Sequence, residues 1–112
     1  LTGKIEISGI QGHVAYPHLL NNPINTLVNI CKTLKQKKLD KGNKNFQPSN
    51  LEFTSINVDN KAHNVIPARA RAQFNIRYNN NHNSISLKKR INLVVKNICK
   101  KSISFEEERK LL

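Results

Sequence analysis

The sequence predicts an α+β domain of ferredoxin-like type. Its element order is β-α-β-β-α-β, an antiparallel four-stranded sheet with two helices on one face. Three observations carry this expectation. Residues 68–78 alternate strictly between apolar and polar, the signature of a half-buried strand. Residues 22–38 and 84–101 instead repeat apolar residues at helical spacing. The chain has 112 residues, enough for one compact core and too few for a second.

Each element follows from its local residues. In 3–10, Ile5 and Ile7 point one way and Lys4, Glu6 and Ser8 the other, giving the first strand, which Gly9 and Gly12 end. Asn22 is a good helix N-cap, and Pro23 suits the first helical position because its missing N–H is not needed there. Ile24, Leu27, Val28, Cys31 and Leu34 then form one stripe, and Lys35, Lys37 and Lys38 complement the negative C-terminal end of the helix dipole. Gly42 and Pro48 break the chain into a loop over 39–49. The second strand, 50–58, slips its alternation between Phe53 and Ile56, which predicts a bulge.

The connection 59–67 ends in Asn64-Val65-Ile66-Pro67, whose proline restricts the preceding residue to extended geometry. In the third strand, Ala68, Ala70, Ala72, Phe74, Ile76 and Tyr78 share one face. Arg69, Arg71, Gln73, Asn75 and Arg77 share the other, expected to remain open. The turn 79–84 leads to a second helix, capped by Ser84 or Ser86, with Leu87, Ile91, Val94, Val95 and Ile98 as its stripe. Residues 102–106 are expected to form a short last strand.

Composition excludes several functions. There is no apolar run of membrane-spanning length and no secretory-signal pattern, so a cytoplasmic protein without a membrane partner is expected. The sequence contains no Met and reads as a piece of something longer. Cys31 and Cys99 are too few for a disulfide framework or a zinc site and read as reduced thiols. The net charge of +12 invites a nucleic-acid partner. Lys, Asn and Ile are all abundant, however, as an AT-rich genome would encode, and the positive field also suits a small anionic substrate.

The reactive side chains are scattered. His13, His18, His63 and His82 lie in no metal-binding pattern, and Glu6, Asp40, Glu52, Asp59 and Glu106–Glu108 form no acid–base pair. With no phosphate loop or nucleophile elbow, the chain alone is not a complete enzyme. An RNA-binding module shares the element order, but the third strand lacks the glycine and exposed aromatics that such modules use to stack bases. No nucleic-acid partner is therefore expected. A purely structural dimerisation module is a further alternative.

Three stretches carry a family resemblance: TGKIEISGIQGHVAYPHLLNNPI, LDKGNKNFQPSNLEFTSI and NVIPARARAQFNIRYN. In order and spacing they resemble the small dimerisation (lid) domain of the succinyl-diaminopimelate desuccinylases, a branch of the M20 family of dinuclear zinc amidohydrolases. The likeness runs over roughly residues 2–101. It implies that the whole chain, 1–112, is one dimerisation domain, inserted in the full enzyme into a catalytic domain that holds two zinc ions. The fragment itself would bind no cofactor and be inactive. The full enzyme would hydrolyse N-succinyl-LL-2,6-diaminopimelate to succinate and LL-diaminopimelate, on the way to lysine and cell wall. Another M20 deacylase is the neighbouring alternative.

The resemblance also implies residue roles. His13 matches a histidine that reaches the partner subunit's active site and donates a hydrogen bond to the oxygen that turns negative during amide cleavage. Tyr16, Asn64 and Arg77 match residues near the substrate, and a guanidinium suits a substrate carboxylate. His18 is expected to structure its loop, and His63 and His82 to lie at the surface. The homodimer is expected to form through edge strand 50–58 and helix 22–38.

Overall fold

A computed structural model describes residues 1–9, 12–13, 22–98 and 104–106. The chain is α+β, with an antiparallel sheet and two helices. Its elements are β1 (Thr2–Ser8), β2 (Gly12–His13), α1 (Pro23–Gln36), β3 (Asn50–Asn57), β4 (Val65–Ile66), β5 (Arg69–Arg77), α2 (Ser84–Ile98) and β6 (Ser104–Glu106). β5 lies between β3 and β1, and β6 pairs with β1 over Thr2–Lys4. The expected bulge is present, as a register shift between Phe53 and Ser55.

One core joins both helices to one sheet face. Ile5 and Ile7 from β1, and Ala70, Ala72, Phe74 and Ile76 from β5, pack with Leu27, Ile30 and Leu34 of α1 and with Leu87, Ile91, Val94 and Val95 of α2. The small Ala70 and Ala72 let the helical layer approach the sheet closely. Phe74 is fully buried and meets Phe53 edge to face, with ring centroids 5.9 Å apart. Ala68 and Tyr78, expected on this face, are exposed because they lie just outside the paired span of β5. The opposite face carries Arg69, Arg71, Gln73, Asn75 and Arg77, with no aromatic among them.

The helices correct two details. Asn22 caps α1, its side chain accepting from the N–H of Ile24 at 3.0 Å. The buried stripe, however, runs Leu27, Ile30, Leu34. Ile30 is fully buried, whereas Val28, expected inside, is 59% exposed. At 100° per residue, Val28 turns toward the β3 side of α1 rather than onto the sheet. The cap of α2 is Asn83, not Ser84 or Ser86. Its Oδ1 accepts from the Ser86 N–H at 2.8 Å, and Ser86 Oγ accepts from the Asn83 N–H at 3.1 Å, a reciprocal capping box.

The loop 39–49 is organised around one carboxylate. Asp40 Oδ1 accepts from the N–H of Gly42 at 2.7 Å, the N–H of Ser49 at 3.1 Å and the Asn79 amide at 2.9 Å. Gly42 has φ of 78°, and a Cβ there would lie 2.8 Å from the Pro48 nitrogen. His82, expected at the surface, is instead largely buried: its Nε2 is 3.0 Å from the Leu39 carbonyl and 3.1 Å from Asp40 Oδ2. Hydrogen bonds from the Ser49 hydroxyl above all, then from the Ser49 and Gly42 amides and Asn79, hold the Asp40 carboxyl well below the usual carboxylate range, against an opposing desolvation effect.

Candidate active site

Two motifs far apart in sequence meet in one ribbon. The β1–β5 pairing runs to Ser8↔Arg69 and continues through a Gly9 N–H to Ala68 carbonyl bond of 2.8 Å. Pro67 then interrupts the ladder, because it has no N–H to give. Beyond it, β2 and β4 pair antiparallel, Gly12 with Ile66 and His13 with Val65. The ribbon thus extends the two central strands past the end of the sheet. Neither β2 nor β4 was legible in the sequence, because each is only two residues long. Their only signals were Gly12 beside His13 and the extended geometry that Pro67 imposes on Ile66.

Asn64 immediately precedes β4 and is exposed, so the ribbon brings the backbone of His13 close to Asn64. A side chain missed by the sequence reading closes the loop that carries Asn64. Asn60 Nδ2 donates to the Val65 carbonyl at 2.6 Å, and Asn60 Oδ1 accepts from the Ala62 N–H at 3.1 Å. The Asn60 N–H itself donates to the Val58 carbonyl at 2.8 Å. Asn22, Asn60, His63 and Val65 are among the residues lining a shallow pocket of ≈ 280 Å³ beside the ribbon. The exposed position of His63 agrees with the sequence expectation.

Arg77 stands elsewhere. It is exposed at the far end of β5, opposite Asn50. Eight strand rises separate it from Arg69, about 27 Å at 3.3–3.4 Å per residue. One chain therefore does not bring Arg77 together with His13 and Asn64. Tyr16 and His18 lie outside the described residues, as does Cys99.

The open face near the ribbon is charge-paired. Glu6 meets Arg71 Nε at 3.2 Å and Arg69 at 3.8 Å, and Arg71 Nη1 reaches Asp59 at 3.4 Å. Such exposed pairs contribute only a few tenths of a kcal/mol each, roughly 0.2–1, but they orient the start of the 59–65 loop. Among the described residues, no three His, Cys, Asp or Glu side chains converge to hold a metal ion. Among them too, no helix is long and apolar enough to cross a membrane.

An apolar recess of ≈ 370 Å³ lies between α1 and the β3 side of the sheet, lined by Ile24, Leu27, Val28, Cys31, Ile56 and Val58 with two lysines. Val28 and Ile56 are 59% and 63% exposed. Burial pushes the Cys31 thiol up from its ordinary value, which keeps it protonated.

Residues 1–102 match the family described as the peptidase dimerisation domain of M20 type. The chain is 54% identical over 104 residues to the succinyl-diaminopimelate desuccinylase of Pelagibacter ubique, covering 93% of this chain and 27% of that protein. It is 55% identical over 96 residues to the enzyme of the same name from Ehrlichia chaffeensis, covering 86% and 24%. The chain thus spans about a quarter of the length of these relatives. Among solved structures, it superposes on an aminobenzoyl-glutamate utilization protein from Klebsiella pneumoniae with TM-score 0.70 at 15% identity, over 87% of this chain and 24% of the other. A tripeptidase from Staphylococcus aureus gives TM-score 0.66 at 14% identity, over 92% and 26%. These two likenesses carry the fold alone.

Proposed function

The chain belongs to the M20 peptidase dimerisation domain family, and from that premise we propose that it is the dimerisation domain of a longer, cytoplasmic succinyl-diaminopimelate desuccinylase. The β3-β5-β1-β6 pairing order supports the finer ferredoxin-like reading of the sheet. The full enzyme would hydrolyse the succinyl amide of N-succinyl-LL-2,6-diaminopimelate. The metal ions of such an enzyme supply Lewis-acid chemistry. The two zinc ions expected of the enzyme would lie in its catalytic domain, in keeping with the lack of a three-residue His, Cys, Asp or Glu cluster among the described residues.

The observation that carries the reading is the β2–β4 ribbon. It joins the Gly12-His13 motif to the Asn64-Val65-Ile66-Pro67 motif in space, as a shared site would require. His13 would donate a hydrogen bond to the amide oxygen as negative charge develops on it, and Asn64 would contact the substrate beside it. A donor placed where charge appears lowers the barrier without reorganising at the moment of reaction. Tyr16 would lie near the same substrate.

Two copies are needed to complete this arrangement. A substrate of diaminopimelate size does not span the distance from the ribbon to Arg77. His13 and Asn64 of one protomer therefore serve the partner's site, and Arg77 serves the site of its own protomer, its guanidinium facing a substrate carboxylate. The partner is a second copy joined through β3 and α1. Among the described residues, β3 pairs with β5 alone, and the apolar recess of Val28 and Ile56 lies beside its other edge. The net charge of +12 favours the approach of the anionic substrate.

In the full-length enzyme, His13→Ala is expected to lower kcat by about 10²–10³-fold while metal content stays normal. Unchanged turnover would reject the donor role.

A further inference from the structure

The loop that carries Asn64 is pinned at several points along its course. This loop leaves the sheet at Asp59, held to β5 by Arg71, and returns at β4. Between these ends, its course is set by the side chain of Asn60. One amide group satisfies both sides of the loop: its Nδ2 donates to the Val65 carbonyl at 2.6 Å and its Oδ1 receives the Ala62 N–H at 3.1 Å. Val65 is the residue paired with His13. Asn60 thus fixes the strand on which the His13 backbone is registered and, with it, the residue before that strand, Asn64.

We propose that Asn60 is a positioning residue for amide hydrolysis, acting through the β2–β4 ribbon to hold His13 and Asn64 in their working geometry. This inference rests on the role given to His13 above. Two-residue strands have little pairing of their own, so an external clamp on Val65 matters more here than in a long ladder. Small displacements of a positioned group carry large rate penalties. Asn60→Asp keeps the size and the acceptor facing Ala62, but it sets a carboxylate oxygen against the Val65 carbonyl and loses the donor.

The test is a double-mutant cycle in the full-length enzyme, with kcat, KM and thermal midpoint measured for each variant. Asn60→Ala and Asn60→Asp are each expected to lower kcat about tenfold or more, with a smaller change in KM and an intact folding transition. In a His13→Ala background, the same Asn60 substitutions are expected to cost clearly less, because one of the two groups they position is gone and only the Asn64 contact is left to lose. An equal loss in both backgrounds, full activity of Asn60→Asp, or a loss matched by a collapsed thermal midpoint would each overturn the positioning role. Normal turnover of His13→Ala alone would instead overturn the reading of His13, and this inference with it.

Discussion

Gly3 lies directly across from Phe74 in the β1–β5 ladder, and the Phe74 ring occupies the space where a Cβ on Gly3 would stand. A Cβ there would be 2.6 Å from Cε1 and from Cε2 of the ring. The ring cannot retreat, because it is fully buried and edge-on to Phe53. Gly3→Ala is therefore an overpacking change in the central strand pair, expected to destabilise by about 1–3 kcal/mol. Denaturant unfolding measures it, and Phe74→Leu in the same background should recover part of the loss by opening room.

Asp40 sets an acid limit on the fold. Its carboxyl is held below the ordinary carboxylate range in the folded chain, first by the Ser49 hydroxyl and then by backbone N–H groups and Asn79. The unfolded chain therefore binds a proton here more readily than the folded one. The resulting stabilisation is complete above the unfolded value of about 3.9 and is lost as pH falls from there toward the folded value. Asp40→Asn removes the titration. The stability gap between wild type and Asp40→Asn should narrow as pH falls below about 3.9. A gap that stays constant would show that Asp40 acts by shape alone.

The Asn83 cap is a smaller and cleaner effect. Its side chain satisfies the Ser86 N–H, and Ser86 returns the bond. Asn83→Ala should destabilise the chain by roughly 1 kcal/mol, whereas Asn83→Asp should retain most of the cap. Equilibrium unfolding of the two variants side by side checks this.

Long elements with regular periods were legible in the sequence. β5 alternates along its whole length, and the Phe53 irregularity pointed correctly to the bulge. Composition also gave α1 its start at Asn22 and Pro23. The misses came where tertiary context decides. Val28 and Ile30 are both apolar, and only the position of the sheet determines that Ile30 is buried and Val28 exposed. His82 looked like a turn residue until the Asp40 loop folded against it. The site itself was half visible: His13 and Asn64 stood in motifs, but their meeting depends on two strands too short to leave a pattern. Asn60 gave no signal, because side-chain to backbone bonds within a loop follow no period.

Val28 and Ile56 test the proposed dimer seam. Both are already well exposed in the single chain, so replacing either by Lys should change monomer stability by less than about 0.5 kcal/mol. In a dimer, the same charge would be buried against the partner without a counter-ion and would oppose association. Sedimentation equilibrium should find a dimer for the native chain and a monomer for the Val28→Lys, Ile56→Lys double variant. Persistence of the dimer would place the seam elsewhere.

The separation of Arg77 from the ribbon makes a sharper prediction about which chain serves which site. With His13 given in trans and Arg77 in cis, full-length His13→Ala and Arg77→Ala enzymes should each be impaired alone. In a mixed dimer, the site on the His13→Ala subunit keeps its own Arg77 and receives His13 from the partner, so it is whole. The other site lacks both groups. Random exchange of subunits makes half of the dimers mixed, each with one whole site, so mixing should restore about a quarter of the native turnover. If both residues served a site within one chain, no mixed dimer would contain a whole site, and mixing would restore nothing. Measuring turnover after subunit exchange, against the unmixed variants at equal concentration, separates the two geometries.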